Sequence, residues 1–186
     1  MINALPSVGT DPVVGLKALC DQHPGKVVFT TSLGLEDQAL TDLIARNALP
    51  VRVVTLDTGR LFQETYDLMD RTRAMYPELE FETYFPAAES LEAFVNSQVM
   101  SSIFKSVEAR KTCCGIRKID PLHRALEGAE VWVTGLRSAQ SDNRAGLTRL
   151  ERDAMSGKLK YNPLLDWTDG DLCLLYTSDA ADDRMR

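Results

Sequence analysis

The chain has 186 residues, 44% of them hydrophobic and 26% charged, with a net charge of −6. That is one domain's worth of sequence with enough apolar content for a sizeable core. The acidic balance argues against a general nucleic-acid binder, and no run of about 18 apolar residues offers a membrane span. The N-terminal stretch MINALPSVGTDPVVG has no basic segment followed by an apolar one, so no signal peptide is read. The expected compartment is the cytoplasm, where four cysteines stay reduced and suggest metal or redox chemistry.

Residues 1–25 read as a helical lead with Val13, Val14, Leu16, Leu19 and Cys20 apolar, ended by His23-Pro24-Gly25. Cys20 falls in that apolar pattern and is expected in the core. The central stretch is KVVFTTSLGLED, Lys26 to Asp37. Val27 to Thr31 predict a buried strand, Ser32 and Gly34 break it, and Asp37 to Asn47 carry the spacing of one helix face. A strand, a Ser/Gly loop and a helix start are expected to aim free backbone amides and a helix dipole at one spot, where a phosphate or sulfate would sit.

Val51 to Asp57 and Phe81 to Phe85 predict two further strands, and Leu61 to Tyr76 and Glu89 to Val99 two further helices. This alternation predicts an α/β fold, a parallel twisted sheet with helices on both faces. Ligands on such sheets bind beyond the carboxyl ends of strands, so TSLGLED and LDTG (Leu56 to Gly59) are expected to face one pocket. Residues 100–124 read as less regular, with a helix over Pro121 to Leu126. Val131 to Thr134 is another strand, ended by Gly135. Gly135 to Arg152 reads as a polar, Arg-rich loop, Leu159 to Leu164 as an edge strand because of Pro163, and Asp166 to Thr168 as a helix cap.

Three groups of residues carry chemistry. Cys113 and Cys114 are neighbours, and adjacent Cα atoms about 3.8 Å apart make a strained disulfide, so two free thiols are expected. Lys111, Arg117 and Lys118 favour their thiolates, and such a pair is half of an iron–sulfur or zinc site. Residues 105–152 carry a net +4 in an otherwise acidic chain. Within them Arg137, Arg144 and Arg149 offer forks for phosphate or sulfate oxygens, joined by Gln140, Ser141 and Asn143. Asp57, at a strand end, has three open roles: capping a turn, binding a ribose hydroxyl or holding Mg²⁺. His23 and His123 show no ligand spacing.

Five motifs in order, SLGLED (32–37), LDTGRLFQET (56–65), CCGIRK (113–118), GLRSAQSDNRAG (135–146) and NPLLDWT (162–168), resemble the assimilatory adenylylsulfate and phosphoadenylylsulfate reductases. The resemblance spans residues 26–172, and the adjacent cysteines point to its iron–sulfur branch, which mostly reduces adenylylsulfate. It implies the adenine-nucleotide α-hydrolase-like (PP-loop) fold. Ser32, Gly34, Glu36 and Asp37 would lie in the modified pyrophosphate loop, with Leu56, Asp57, Thr58 and Gly59 approaching the adenosine. Lys118, Arg137 and Arg144 would contact the substrate phosphate and sulfate or the catalytic segment, with Gln140 and Ser141 also on the substrate side. Cys113 and Cys114 would be two ligands of a [4Fe–4S] cluster. Family members pass a sulfonated cysteine near the C-terminus to thioredoxin or a similar thiol, releasing sulfite and AMP, and are often homo-oligomeric.

The family's second pair, CxxC, and its nucleophilic cysteine have no counterpart after Cys114, where only Cys173 follows. Residues 173–186 read as the translation of a sequencing adapter joined to a truncated gene, with Leu172 the last native position. On that reading the parent is a reductase and this chain is inactive. The rival readings are a phosphoadenylylsulfate reductase, an ATP-pyrophosphatase-type enzyme of the same superfamily, and a non-catalytic nucleotide-binding module.

Overall fold

In a computed structural model, residues 6–97, 104, 106–140 and 146–182 are described, with side chains of the last helix described to Tyr176. Helix α1 (Pro12–Gln22) starts where Asp11 accepts from the amides of Val13 and Val14 at 2.8 and 3.0 Å, with Pro12 at the first helical position. Then follow β1 (Val27–Thr31), α2 (Leu35–Arg46), β2 (Arg52–Leu56), α3 (Gln63–Met75), β3 (Phe81–Tyr84) and α4 (Ala88–Ser97). The second half holds α5 (Val107–Cys114), α6 (Asp120–Ala125), β4 (Val131–Val133), β5 (Leu150–Arg152), β6 (Leu159–Tyr161) and α7 (Asp169–Asp182).

The six strands form one sheet in the order β3-β2-β1-β4-β6-β5. All neighbours are parallel except β5, which runs antiparallel to β6. Period-two alternation splits the strands between two cores. Val27, Phe29, Val53, Val131 and Val133 face one side and pack with Leu16, Leu19, Leu40, Ile44 and Leu172 of α1, α2 and α7. Val28, Val54 and Trp132 face the other, against Leu122, Ala125 and Leu126 at α6. Helices thus cover both faces, as the β-branched runs predict. Cys20 is buried in the first core, and burial, with Asp21 nearby, pushes its thiol up to about 11.

Two segments differ from the sequence reading. The stretch around Cys113-Cys114 is helical, not irregular: Ser106 caps α5 through the Ala109 amide at 3.2 Å, and a π-helical turn, Gly115–Ile119, leads directly into α6. And Leu159 to Leu164 is no edge strand. It ends at Tyr161, so Pro163 lies past the ladder and imposes nothing on it, and β6 sits between β4 and β5. The edge on this side of the sheet is β5, inside the segment read as an Arg-rich loop. Buried Asn162 holds that edge in place. Its amide donates to the Arg149 carbonyl and its side-chain nitrogen to the Thr148 carbonyl, both at 2.8 Å, while its Oδ1 accepts from Thr134 at 2.6 Å. Residues 98 and 99, at the end of the expected fourth helix, and residues 1–5 of the helical lead lie outside the described residues.

Candidate active site: a cleft at the strand carboxyl ends

A cleft of about 530 Å³ opens where β1, β2 and β4 end. It gathers residues far apart in sequence: Ser32, Glu36 and Asp37 after β1, Leu56 and Thr58 at β2, Lys118 from the π-helical turn, and Gly135 and Gln140 after β4. This is where a parallel sheet places ligands.

The β1–α2 loop is built from the inside. Asp37 is buried, and its Oδ2 accepts from both the amide and the hydroxyl of Ser32 at 2.6 Å. The Gly135 amide also donates to this carboxylate, which joins the loop to the end of β4; burial nonetheless raises the Asp37 pKa. A Cβ at position 135 would overlap the carboxylate and lie 3.3 Å from the Asp37 amide, so only glycine permits this approach. The Leu33 amide donates to Thr31 Oγ1 at 2.9 Å, with Leu33 buried at φ 63°. The amides of Ser32 and Leu33 are therefore engaged within the protein, not free as the sequence suggests. Gly34 caps α2 without any side-chain bond to the first turn.

Asp57 is buried at the end of β2. Its Oδ1 accepts from the Gly59 amide at 2.7 Å and the Tyr66 hydroxyl at 3.1 Å, so of its three open roles the structure displays the turn cap. Gly59 holds φ +68° in that turn. The Thr58 carbonyl accepts from Arg117 Nη1 at 2.5 Å.

Arg137 is 6% exposed and does not point a free fork at the cleft. Its Nε and Nη2 donate to Glu36 Oε1 at 2.9 and 2.8 Å, Nη2 also to Asp169 at 2.7 Å, and Nη1 to the Trp167 carbonyl at 3.1 Å. Burial works against a charged Glu36, but Arg137 and Gln140 hold its carboxyl below the usual range. Asp169 is exposed, so its share of the guanidinium is the one an incoming anion would contest.

Of the residues expected in the site, Ser32, Glu36, Asp37, Leu56, Thr58, Lys118 and Gln140 line the cleft, and Gly34, Asp57, Gly59 and Arg137 do not. Ser141 and Arg144 fall outside the described residues. Cys113 is buried and Cys114 exposed at the end of α5, both free thiols, four and three residues before Arg117. The sequence reading missed Thr30, Trp132 and Lys160, which form the cleft floor on the α6 side of the sheet. Trp132 Nε1 donates to Thr30 Oγ1 at 2.8 Å, and Lys160 Nζ sits 5.2 Å from the Trp132 ring centroid. Strand alternation with Val28 and Val54 was the signal that could have found them.

A family model described as the phosphoadenosine phosphosulfate reductase domain matches residues 26–180. The chain belongs to the phosphoadenosine phosphosulfate reductase domain family. Among curated relatives, an adenosine 5'-phosphosulfate reductase of Rhizobium meliloti is 47% identical over 155 residues, 83% of this chain and 58% of that protein. One from Sinorhizobium fredii is 50% identical over 83% of this chain and 61% of its own length. One from Allochromatium vinosum is 44% identical over 90% of this chain and 64% of its own. The chain thus spans roughly three fifths of the reductases it matches. Among solved structures, phosphoadenylyl-sulfate reductase from Candida auris, a phosphate complex, superposes with a TM-score of 0.76 at 27% identity over 93% of this chain and 81% of that one. An NH3-dependent NAD synthetase from Campylobacter jejuni, at TM-score 0.60 and 14% identity, covers 90% of this chain and 69% of its own and shares the fold. The reductase-domain fold is of the PP-loop type, with its cleft at the shared strand ends.

Proposed function

We propose that this cleft binds adenosine 5'-phosphosulfate as part of a reductase that yields sulfite and AMP in sulfate assimilation. The observation that carries the reading is the convergence of Ser32, Thr58, Lys118 and Gln140 on one cleft at the ends of β1, β2 and β4. Relatives at 44–50% identity bear the adenosine 5'-phosphosulfate reductase name, which favours the substrate without a 3'-phosphate. Lys118 is the exposed cation on the cleft wall and is assigned to the sulfate or phosphate oxygens. Arg137 and Glu36 hold the loop after β4 against α2, and Asp37 fixes Ser32. Location in the cytoplasm is part of the same proposal; no helix among the described residues is long and apolar enough to cross a membrane.

The overall reaction consumes two thiols. One thiolate attacks the sulfate sulfur, forming a sulfur–sulfur bond and expelling AMP. A second thiol, from thioredoxin or a similar donor, attacks the first sulfur, releases sulfite and leaves a disulfide. The attacking thiol is assigned to sequence outside residues 26–172. Cys20 is unsuited to it, being buried with a raised pKa.

The iron–sulfur branch that the adjacent cysteines resemble implies a [4Fe–4S] cluster, and Cys113 and Cys114 would supply two of its thiolates. One buried and one exposed thiol at the end of one helix do not by themselves make a closed four-thiolate site. Among the described residues no group of three or more His, Cys, Asp and Glu is placed to hold a metal ion. No step here is therefore routed through the cluster.

The test is sulfite release from ³⁵S-labelled adenosine 5'-phosphosulfate with a thiol donor. An extended product spanning the full length of the matched reductases is compared with the 186-residue chain. The extended product is expected to release sulfite and AMP one for one, and the shorter chain to bind without turnover. Pyrophosphate release from ATP, or an extended product that never turns over, would overturn the assignment.

A further inference from the structure

Arg117 is the unexplained residue of this site. It is 7% exposed, it has no carboxylate partner among the described residues, and its Nε is buried without a hydrogen-bond partner there. A buried guanidinium so poorly compensated is costly to keep. Its defined contact is the 2.5 Å bond from Nη1 to the carbonyl of Thr58, 59 residues away on the lip of the cleft. The same nitrogen sits 3.3 Å from where a Cβ at Gly59 would be. The local helix explains how this reach is made. Arg117 and Lys118 are neighbours on the π-helical turn Gly115–Ile119, and adjacent residues of a helix do not share a face. Arg117 goes inward to Thr58, while Lys118 stays exposed and lines the cleft. The turn is continuous with α5, which ends on Cys113 and Cys114.

We propose that Arg117 is a positioning residue that couples the cleft to the cysteine pair. A nucleotide seated against Thr58 shifts the Arg117 bond, and the α5 end carrying Cys114 responds. Asp57 ties Gly59 and Tyr66 together at the lip, and the Arg117–Thr58 bond links this turn to the helix of the thiols. The inference rests on the nucleotide reading above and adds a route from the binding site to the thiols.

The experiment measures the rate of Cys114 alkylation by iodoacetamide, read peptide by peptide by mass spectrometry. The full chain is used with and without saturating AMP, and AMP binding is measured separately by titration calorimetry. Peptide resolution separates Cys114 from exposed Cys173, while buried Cys20 serves as an unreactive reference. In the wild type AMP is expected to change the Cys114 rate about 5-fold or more, the lower end of coupling between sites. In R117Q, AMP still binds but leaves the rate unchanged. R117K, which keeps a donor but not the fork, retains part of the effect. G59A crowds the same guanidinium and loses coupling as R117Q does, which keeps the test decisive if R117Q fails to fold. AMP binding that leaves the wild-type rate unaltered, or full coupling in R117Q or in G59A, would overturn the inference and leave the nucleotide reading standing. A wild type that does not bind AMP would overturn both.

Discussion

Asp37 and Gly135 form the tightest joint of the site, an acidic side chain from α2 received by a backbone amide after β4. Because a methyl group at 135 would overlap the carboxylate, Gly135→Ala must push two strand ends apart. A loss of about 2 kcal/mol or more is expected, the scale of overpacking, measurable by urea denaturation. A variant as stable as the wild type would show that the joint yields freely. Glu36 carries the pH dependence. Its folded pKa lies below the ordinary value near 4.3, because Arg137 and Gln140 outweigh the opposing effect of burial. Its contribution is therefore complete above the unfolded carboxylate range and is lost as pH falls through the folded value. Glu36→Gln should be less stable than the wild type at pH 7, with the gap closing toward pH 3; a gap independent of pH would place the effect in packing instead. Neither joint was legible in sequence. Asp37 and Gly135 stand 98 positions apart, and nothing in the residue types marks Asp37 as a structural acceptor rather than a ligand contact. Arg137 was legible as an arginine after a strand, but its partners Glu36 and Asp169 come from two other elements.

Secondary elements with strong local signals were readable: β1 from its β-branched run, α2 from its apolar face, and the start of α7 from the cap at Thr168. There the Thr168 hydroxyl accepts from the Asp171 amide at 3.2 Å and the Asp171 carboxylate accepts from the Thr168 amide at 2.7 Å. The α1 cap is its simpler counterpart, and Asp11→Ala should cost about 1 kcal/mol, seen as a lowered urea midpoint with unchanged slope. No change in midpoint would show that α1 is held by Leu16 and Leu19 alone. What local pattern could not supply was β5, three residues long in a polar segment, whose strand character comes from pairing with β6 and from Asn162. The π-helical turn was hidden for a similar reason, since no periodicity announces one extra residue. On that turn Lys118 meets the cleft while Arg117 is buried.

At the scale of the whole molecule, strand order decides function. With β1 central among β2, β4 and their neighbours, three loops that are distant in sequence end side by side. The ordered motifs allowed that convergence to be expected before any coordinates. The cleft floor of Thr30, Trp132 and Lys160 could be placed only once the sheet faces were assigned. The 530 Å³ cleft falls within the range of small-molecule sites, with few but convergent polar groups.

The most direct test of the account is calorimetric titration of adenosine 5'-phosphosulfate into this chain, with AMP and the 3'-phosphorylated analogue as comparators. One saturable site per chain is predicted, competed by AMP and weaker for the 3'-phosphorylated form. Lys118→Ala should weaken it about tenfold, the scale of a lost charge-assisted hydrogen bond. Absence of saturable binding at millimolar ligand, or affinity indifferent to Lys118, would contradict the assignment of this cleft.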